Sequence, residues 1–299
     1  MMFHPAFGKG PGFGLSLLFV SITSTQIGSS FAKMLFAHAG TEATVALRLI
    51  FATLILFAGL RPWRHIPEGR AWKHIALYGV SIAVMNACFY QAISRIPIGI
   101  AVAIEFSGPL LVATFSSRRL ADFAGVAFAV AGLMLLMPWN GVDGALDPWG
   151  IMYAALAAIF WGTYIIVGRK AGEGAGSSAA AWGSLIGAMV AVPWSLCMTG
   201  GLLFPLDKAA DVLPLAFLVG LMASALPYAL EMVALRIVPP QAFGVLMSLE
   251  PAVAALLGFL ILGEVLSFSQ WSAIVLVILA SLIVTANARQ GRSTEEQGS

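Results

Sequence analysis

Five ionisable side chains lie inside long apolar stretches of this sequence. Three are carboxylates, Glu105, Glu231 and Glu250, and two are cations, Lys33 and Arg48. A charge at the centre of a membrane helix costs about 2.5 to 3.5 kcal/mol on insertion scales, so such residues are rare unless they bind an ion, a solute or a proton. We therefore treat these five residues as candidates for a functional site.

Prolines interrupt the stretches that hold the three carboxylates: Pro109, Pro227 and Pro251. A proline has no N–H, so the carbonyl four residues earlier loses its helical hydrogen bond. Pro109 removes the bond to the carbonyl of Glu105, and Pro251 removes the bond to that of Met247. Unpaired backbone at membrane depth is tolerated where it is buried in protein or lines a water-filled cavity, so these breaks favour a cavity beside the carboxylates.

The composition indicates a polytopic membrane protein. Hydrophobic residues make up 60% of the 299 residues, charged residues make up 10%, and the mean hydropathy is +0.92. A soluble domain usually has about 25% charged residues, and this chain has too few to cover a soluble surface. The net charge of +2 gives no reason to expect a nucleic acid. Cys88 and Cys197 both lie in apolar segments, where small buried side chains are a simpler interpretation than a disulfide.

The apolar stretches predict an all-α protein with ten transmembrane helices. Short linkers with proline, glycine or charged residues separate them, and no linker is long enough for a domain outside the membrane. The predicted segments are 14–36, 42–60, 73–94, 98–117, 121–138, 149–168, 178–198, 213–235, 240–262 and 268–287.

The lysines and arginines predict the orientation. With both termini in the cytoplasm, the outer loops hold only Arg95 and Lys208, and twelve basic residues lie in the inner loops and tails. This agrees with the positive-inside rule. The twelve are Lys9, Arg61, Arg64, Arg70, Lys73, Arg118, Arg119, Arg169, Lys170, Arg236, Arg289 and Arg292.

The two halves of the chain resemble each other at an offset of 142 positions. The offset superposes Pro97 on Pro239 and Pro109 on Pro251. Ten spans divide into two units of five, residues 1–139 and 140–299, and an odd number of spans per unit makes the second an inverted repeat of the first. Such proteins bind their substrate near the membrane midplane, between the repeats, where interrupted helices meet.

Two of the five candidates have structural alternatives that the sequence leaves open. Lys33 follows Thr23, Gln26 and Ser30 at helical spacing, so these residues share one face, but Lys33 could also extend its amine to the membrane surface. Arg48 needs an anionic partner, which could be a substrate or a carboxylate on a neighbouring helix.

Further polar and aromatic residues in the spans could contact a solute. Asn86 and Tyr90 lie one helical turn apart, and helix-to-helix hydrogen bonds would explain them equally well. Trp161 and Tyr164 could form cavity walls or pack in the ordinary way. The candidate substrate-binding residues are Gln26, Lys33, Arg48, Asn86, Tyr90, Glu105, Ser107, Trp161, Tyr164, Tyr228 and Glu231. A carboxyl group shielded from water can hold a proton at neutral pH, so the proton-coupling candidates are Glu105, Glu231 and Glu250.

Three stretches carry a resemblance to a known family: GIAVAIEFSGPLLVATFSSRR at 99–119, SALPYALEMVAL at 224–235 and FGVLMSLEPAVAALLGFLILGE at 243–264. They resemble the EamA-type branch of the drug/metabolite transporter superfamily, and within it the bacterial threonine and homoserine exporters of the inner membrane. The resemblance implies two inverted five-helix halves, a central cavity and export of small amino acids by alternating access.

Mixed charges in an apolar bundle also suit an amino-acid zwitterion without reference to any family. Coupling to protons or exchange would explain the buried titratable groups better than a channel would. A broad exporter of drugs or metabolites with the same fold is the main alternative. An enzyme is disfavoured, since all four histidines lie in or beside loops and the spans hold no set of metal ligands or nucleophile–base pair. We expect no cofactor and no metal.

Overall fold

The structure is a computed structural model that describes residues 11–64, 66–96, 98–117, 120–136, 146–253, 256, 268–269, 271–280 and 282–283. Within these ranges the structure describes the backbone but not the side chain of some residues, including Ser30 and Lys33. The helices are α1 (Pro11–Leu60), α2 (Ala71–Ile93), α3 (Ile98–Ser116), α4 (Leu120–Leu136), α5 (Pro148–Ala175), α6 (Ser178–Met198), α7 (Ala209–Gly220), α8 (Leu226–Ile237), α9 (Pro240–Met247) and α10 (Trp271–Ala280).

The described part of the chain is helical and contains no β-strand. Five of its helical stretches are long and apolar enough to cross a membrane, and the shorter apolar helices include α3, α4 and α10. This agrees with an all-α membrane protein. The five long stretches are Met34–Leu60, Ala71–Ile93, Pro148–Ala175, Ser178–Met198 and Leu206–Ile237.

Helix α1 covers both of the first two predicted segments. Its one non-helical residue is Gly40, with φ 81° and ψ 169°, a conformation that glycine adopts at no steric cost. We call residues 11–39 the first arm of α1 and residues 41–60 the second arm. The sequence predicts a linker between the two segments, and the structure makes the change of direction at a single glycine.

A five-residue π-helix, Leu221–Ala225, joins α7 to α8 within one continuous helical stretch. Both arms of α1 pack against this stretch, α2 packs on α5, and α3 packs on α5 and α9. Glycines permit two of the closest approaches. A Cβ atom added to Gly28 in the first arm would meet the backbone nitrogen of Ala223, and one added to Gly108 in α3 would meet the carbonyl oxygen of Ala158.

Candidate functional site

The candidate site is organised around one face of the stretch from the π-helix into α8. Ser224, Tyr228 and Glu231 are spaced four and three residues apart, so they lie on the same side of the helix. Each of the three contacts a polar side chain from another helix. We call these three residues the α8 stripe.

Arg48, from the second arm of α1, binds the first end of this stripe. It is 8% exposed and donates three hydrogen bonds: from Nε to Ser224 Oγ (2.8 Å), from Nη1 to the hydroxyl of Tyr90 (3.1 Å) and from Nη2 to the carbonyl of Ala223 (2.7 Å). All three acceptors are neutral. No described carboxylate lies within ion-pair distance of Arg48, so neutral groups alone accept hydrogen bonds from this buried guanidinium.

The carbonyls of Met222 and Ala223 can accept side-chain hydrogen bonds from Ser24 and Arg48 because the helix is irregular at the π-helix. The backbone N–H of Leu226 bonds to Leu221 in the π pattern, so Met222 does not receive it. Pro227 has no N–H to offer to Ala223. In the first arm, the Ser24 hydroxyl donates to the carbonyl of Met222, 2.7 Å away. Arg48 Nη2 donates to the carbonyl of Ala223 at the same distance. π-helical turns occur frequently at functional sites.

The middle of the stripe is Tyr228, which is buried between helices. The side-chain amide of Asn86, in α2, donates to the hydroxyl oxygen of Tyr228 at 3.3 Å. The same amide donates to the carbonyl of Ile82 in its own helix at 2.7 Å. Asn86 therefore faces the stripe while remaining anchored to α2.

Glu231, at the other end of the stripe, is half-buried and accepts one short hydrogen bond on each carboxylate oxygen. Ser21, in the first arm of α1, donates to Oε1 at 2.6 Å, and the hydroxyl of Tyr164, in α5, donates to Oε2 at 2.6 Å. The ring of Tyr164 stacks on that of Tyr78, with centroids 4.9 Å apart. The carboxylate is held in one orientation between two helices.

Glu105 and Glu250 lie near the stripe, on α3 and just beyond α9. Gln26 donates its side-chain amide to Glu250 Oε1 at 3.2 Å. Glu105 is 8% exposed, and no hydrogen bond joins its carboxylate to a described residue. Glu250 is close enough to Glu105, Glu231 and Arg48 to interact electrostatically with each, and Arg48 also interacts with Glu105. The structure thus gathers three carboxylates and one guanidinium into one region.

This geometry can be compared with known proteins. The sequence profile of the EamA-like transporter family matches the chain twice, over residues 12–137 and 148–286. The chain belongs to the EamA-like transporter family. It is therefore a membrane transporter, and the family is not one of enzymes.

Several EamA-like relatives are similar along most of their length. The threonine/homoserine exporter RhtA of Escherichia coli strain K12 is 42% identical over 280 residues, which cover 94% of each chain. RhtA of Salmonella typhimurium strain SL1344 is 42% identical over 274 residues, 92% of each chain. The inner membrane transporter YedA of E. coli strain K12 is 28% identical over 247 residues, which cover 80% of this chain and 79% of YedA.

A solved crystal structure shares the fold of this EamA-like chain. The two superpose with a TM-score of 0.76 over 93% of this chain and 98% of the other, at 18% sequence identity. The similarity establishes the fold and carries no information about the substrate.

Some predicted site residues of this EamA-like protein contact residues outside the α8 stripe. The hydroxyl of Ser107 donates to the carbonyl of Ile104 in its own helix, at 2.6 Å. Trp161 packs edge to face on Phe106, with ring centroids 4.7 Å apart. The side chain of Lys33 lies outside the described residues. Among the residues that are described, no group of three His, Cys, Asp or Glu side chains could hold a metal ion.

The structure adds three serines that the sequence analysis does not select: Ser21, Ser24 and Ser224. Each bonds to another helix and is almost fully buried. Thr23, by contrast, bonds back to the carbonyl of Phe19. The useful signal in the sequence is the spacing of Ser224 from Tyr228 and Glu231, which places a hydroxyl on the same helical face as two selected residues.

Proposed function

We propose that this transporter exports small hydrophilic amino acids of the threonine and homoserine type across the bacterial inner membrane. The observation that carries the proposal is the α8 stripe, which has a guanidinium with no described carboxylate within ion-pair distance at Ser224 and an oriented carboxylate at Glu231. Relatives at 42% identity over nearly the whole chain are named threonine/homoserine exporters, which supports the same substrate class.

An amino-acid zwitterion matches the charges along the stripe. Its carboxylate would bind Arg48, because a guanidinium recognises a carboxylate through two parallel hydrogen bonds. Its ammonium group would bind Glu231. A hydroxyl on the side chain would find hydrogen-bond partners in Asn86 and Tyr228, between the two charged ends. Those neutral partners select for a hydroxylated side chain over an apolar one of similar size.

The proposed architecture is ten transmembrane helices in two inverted repeats, residues 1–139 and 140–299. The family profile matches once in each half, which supports this division. The packing supports it too, because the third predicted segment packs on the sixth (α2 on α5), and the eighth contacts the first through Ser21, Ser24 and Gly28 of the first arm of α1. In a repeat of five spans, the third segment corresponds to the eighth and the sixth to the first. The two contacts are therefore equivalent in the two halves. Alternating access would then be a rocking of one repeat against the other around the stripe.

Both termini are proposed to be cytoplasmic, since this orientation places twelve basic residues inside and two outside. Transport against a gradient needs either protons or a counter-substrate. Glu231 in the stripe, and Glu105 and Glu250 near it, are the groups that could carry a proton.

Inverted membrane vesicles with an imposed pH gradient and a panel of radiolabelled amino acids would test the substrate and the coupling together. An exporter moves its substrate into such vesicles. We expect accumulation of threonine and homoserine well above that of valine and lysine. Cells that resist toxic amphipathic compounds, while their vesicles take up no amino acid, would instead indicate a broad drug or metabolite exporter.

A further inference from the structure

We infer that Ser21 and Tyr164 are positioning residues that orient the Glu231 carboxylate toward the ammonium group of the substrate. The inference rests on the proposed function and assigns roles within that site. The sequence predicts Tyr164 as a substrate-binding residue that could form a cavity wall, and it does not select Ser21.

The contacts show how the carboxylate is fixed. Both hydroxyls reach Glu231 at 2.6 Å, one on each oxygen, and they come from two different helices, the first arm of α1 and α5. A carboxylate has about four acceptor sites, so two hydroxyls leave roughly two for a ligand. Ser21 is fully buried, whereas Glu231 as a residue is only half-buried, so the serine hydroxyl bonds the carboxylate on the protein side of the site.

Glu231 suits an ammonium ligand better than the other two carboxylates do. Glu105 is almost fully buried, with no hydroxyl or amide of a described residue to hold it in place. Glu250 accepts one amide hydrogen bond, from Gln26 at 3.2 Å. A ligand that needs a fixed charge in a fixed direction is best served by the carboxylate with two short bonds, because less rotational freedom is lost when the ligand binds.

Ser21 also connects the two proposed repeats, whereas Tyr164 and Glu231 belong to the same one. A rocking motion of the repeats would change the distance from Ser21 to Glu231 and leave that from Tyr164 to Glu231 nearly constant. The Ser21 contact would then orient the carboxylate in only one of the two access states.

The test compares Ser21→Ala and Tyr164→Phe with wild type in full-length protein reconstituted into liposomes. Threonine exchange is measured with labelled threonine, and the competitor is 2,3-dihydroxybutanoate, in which a hydroxyl replaces the ammonium group. Both variants should raise the KM for threonine at least fivefold and keep the maximal rate within about twofold. The hydroxy acid is tested at a threonine concentration far below the KM. The concentration of hydroxy acid that halves threonine exchange should be nearly the same for the variants and the wild type, because this analogue makes no ion pair with Glu231.

Matched controls are Ser272→Ala, whose hydroxyl bonds to the nearby backbone carbonyl of Phe268, and Tyr153→Phe, whose ring contacts Arg95 far from the stripe. Equal weakening of threonine and of the hydroxy acid would overturn the inference, and so would a loss of maximal rate with an unchanged KM. If the wild-type protein transports neither threonine nor homoserine, the proposed function fails and the positioning role fails with it. Size-exclusion profiles in detergent establish that each variant is folded.

Discussion

Asn86 donates a hydrogen bond to the hydroxyl of Tyr228 across 3.3 Å, and the two residues are 142 positions apart. The same offset superposes Pro109 on Pro251. A residue can touch its counterpart in a repeat only near the axis that relates the two copies. The contact is therefore what an axis through the α8 stripe would produce, and it agrees with a binding site between inverted repeats.

Replacing Pro227 by alanine should weaken the hold on Arg48. Alanine restores an N–H that can bond to the carbonyl of Ala223, which now accepts from Arg48 Nη2. We expect the KM for threonine to rise several-fold while the melting temperature stays level or increases. The control is Pro214→Ala, an exposed proline inside α7. Equal KM values for the two variants would contradict the account of the π-helix.

Replacing Gly108 by alanine should destabilise the packing of α3 on α5. The added Cβ would meet the carbonyl oxygen of Ala158, which is backbone and cannot rotate away. Overpacking of this kind costs about 1 to 3 kcal/mol, and we expect a lower melting temperature in detergent. Gly59→Ala is the matched control, since no atom lies within 4 Å of its added Cβ. A melting temperature for Gly108→Ala as high as that of Gly59→Ala would show that the approach is looser than described.

The two natural cysteines test the proposed orientation. Cys197 is exposed near the end of α6, and Cys88 is buried in α2. With cytoplasmic termini, the end of α6 faces outward. A membrane-impermeant maleimide should label spheroplasts at Cys197, and Cys197→Ser should remove the signal. Labelling of Cys197 in inverted vesicles but not in spheroplasts would show that the topology is the reverse of the one proposed.

Replacing Glu105 by glutamine should impair coupling more than exchange. This carboxylate has no hydrogen bond from a described residue and lies near Glu250 and Arg48, so it is the candidate with the fewest partners to hold its charge. Glutamine cannot carry a proton. Accumulation driven by a pH gradient should fall at least tenfold, and threonine exchange should fall less. The control is Glu173→Gln, which removes the charge of an exposed carboxylate that pairs with Arg169. Gradient-driven accumulation at the wild-type level would exclude Glu105 from coupling.

The class of fold could be predicted because membrane helices reveal themselves through length and hydropathy. The irregular features could not. The linker predicted between the first two segments is reduced to Gly40, since one residue with positive φ suffices for the turn. The π-helix has no signature in composition, although Pro227 marks its position, because a proline makes an alternative hydrogen-bond pattern less costly there.

Charged site residues were easier to predict than neutral ones. Arg48 and Glu231 stand out in apolar sequence, where a charge needs a reason. Serines do not, because a hydroxyl in a membrane helix can bond either to its own backbone or to a neighbour. Ser107 does the first and Ser21 the second. Only the packing of helices distinguishes the two cases.

The central claim is that one zwitterion spans Arg48 and Glu231, and a binding cycle with two ligands tests it most directly. Affinities of threonine and of threoninol, which lacks the carboxylate, are measured for purified wild-type protein and for Arg48→Ala. We predict that threoninol binds the wild type at least ten times more weakly than threonine, and that Arg48→Ala brings the two affinities within about twofold of each other. If Arg48→Ala weakens both ligands by the same factor, Arg48 does not bind the carboxylate and the proposed site is wrong.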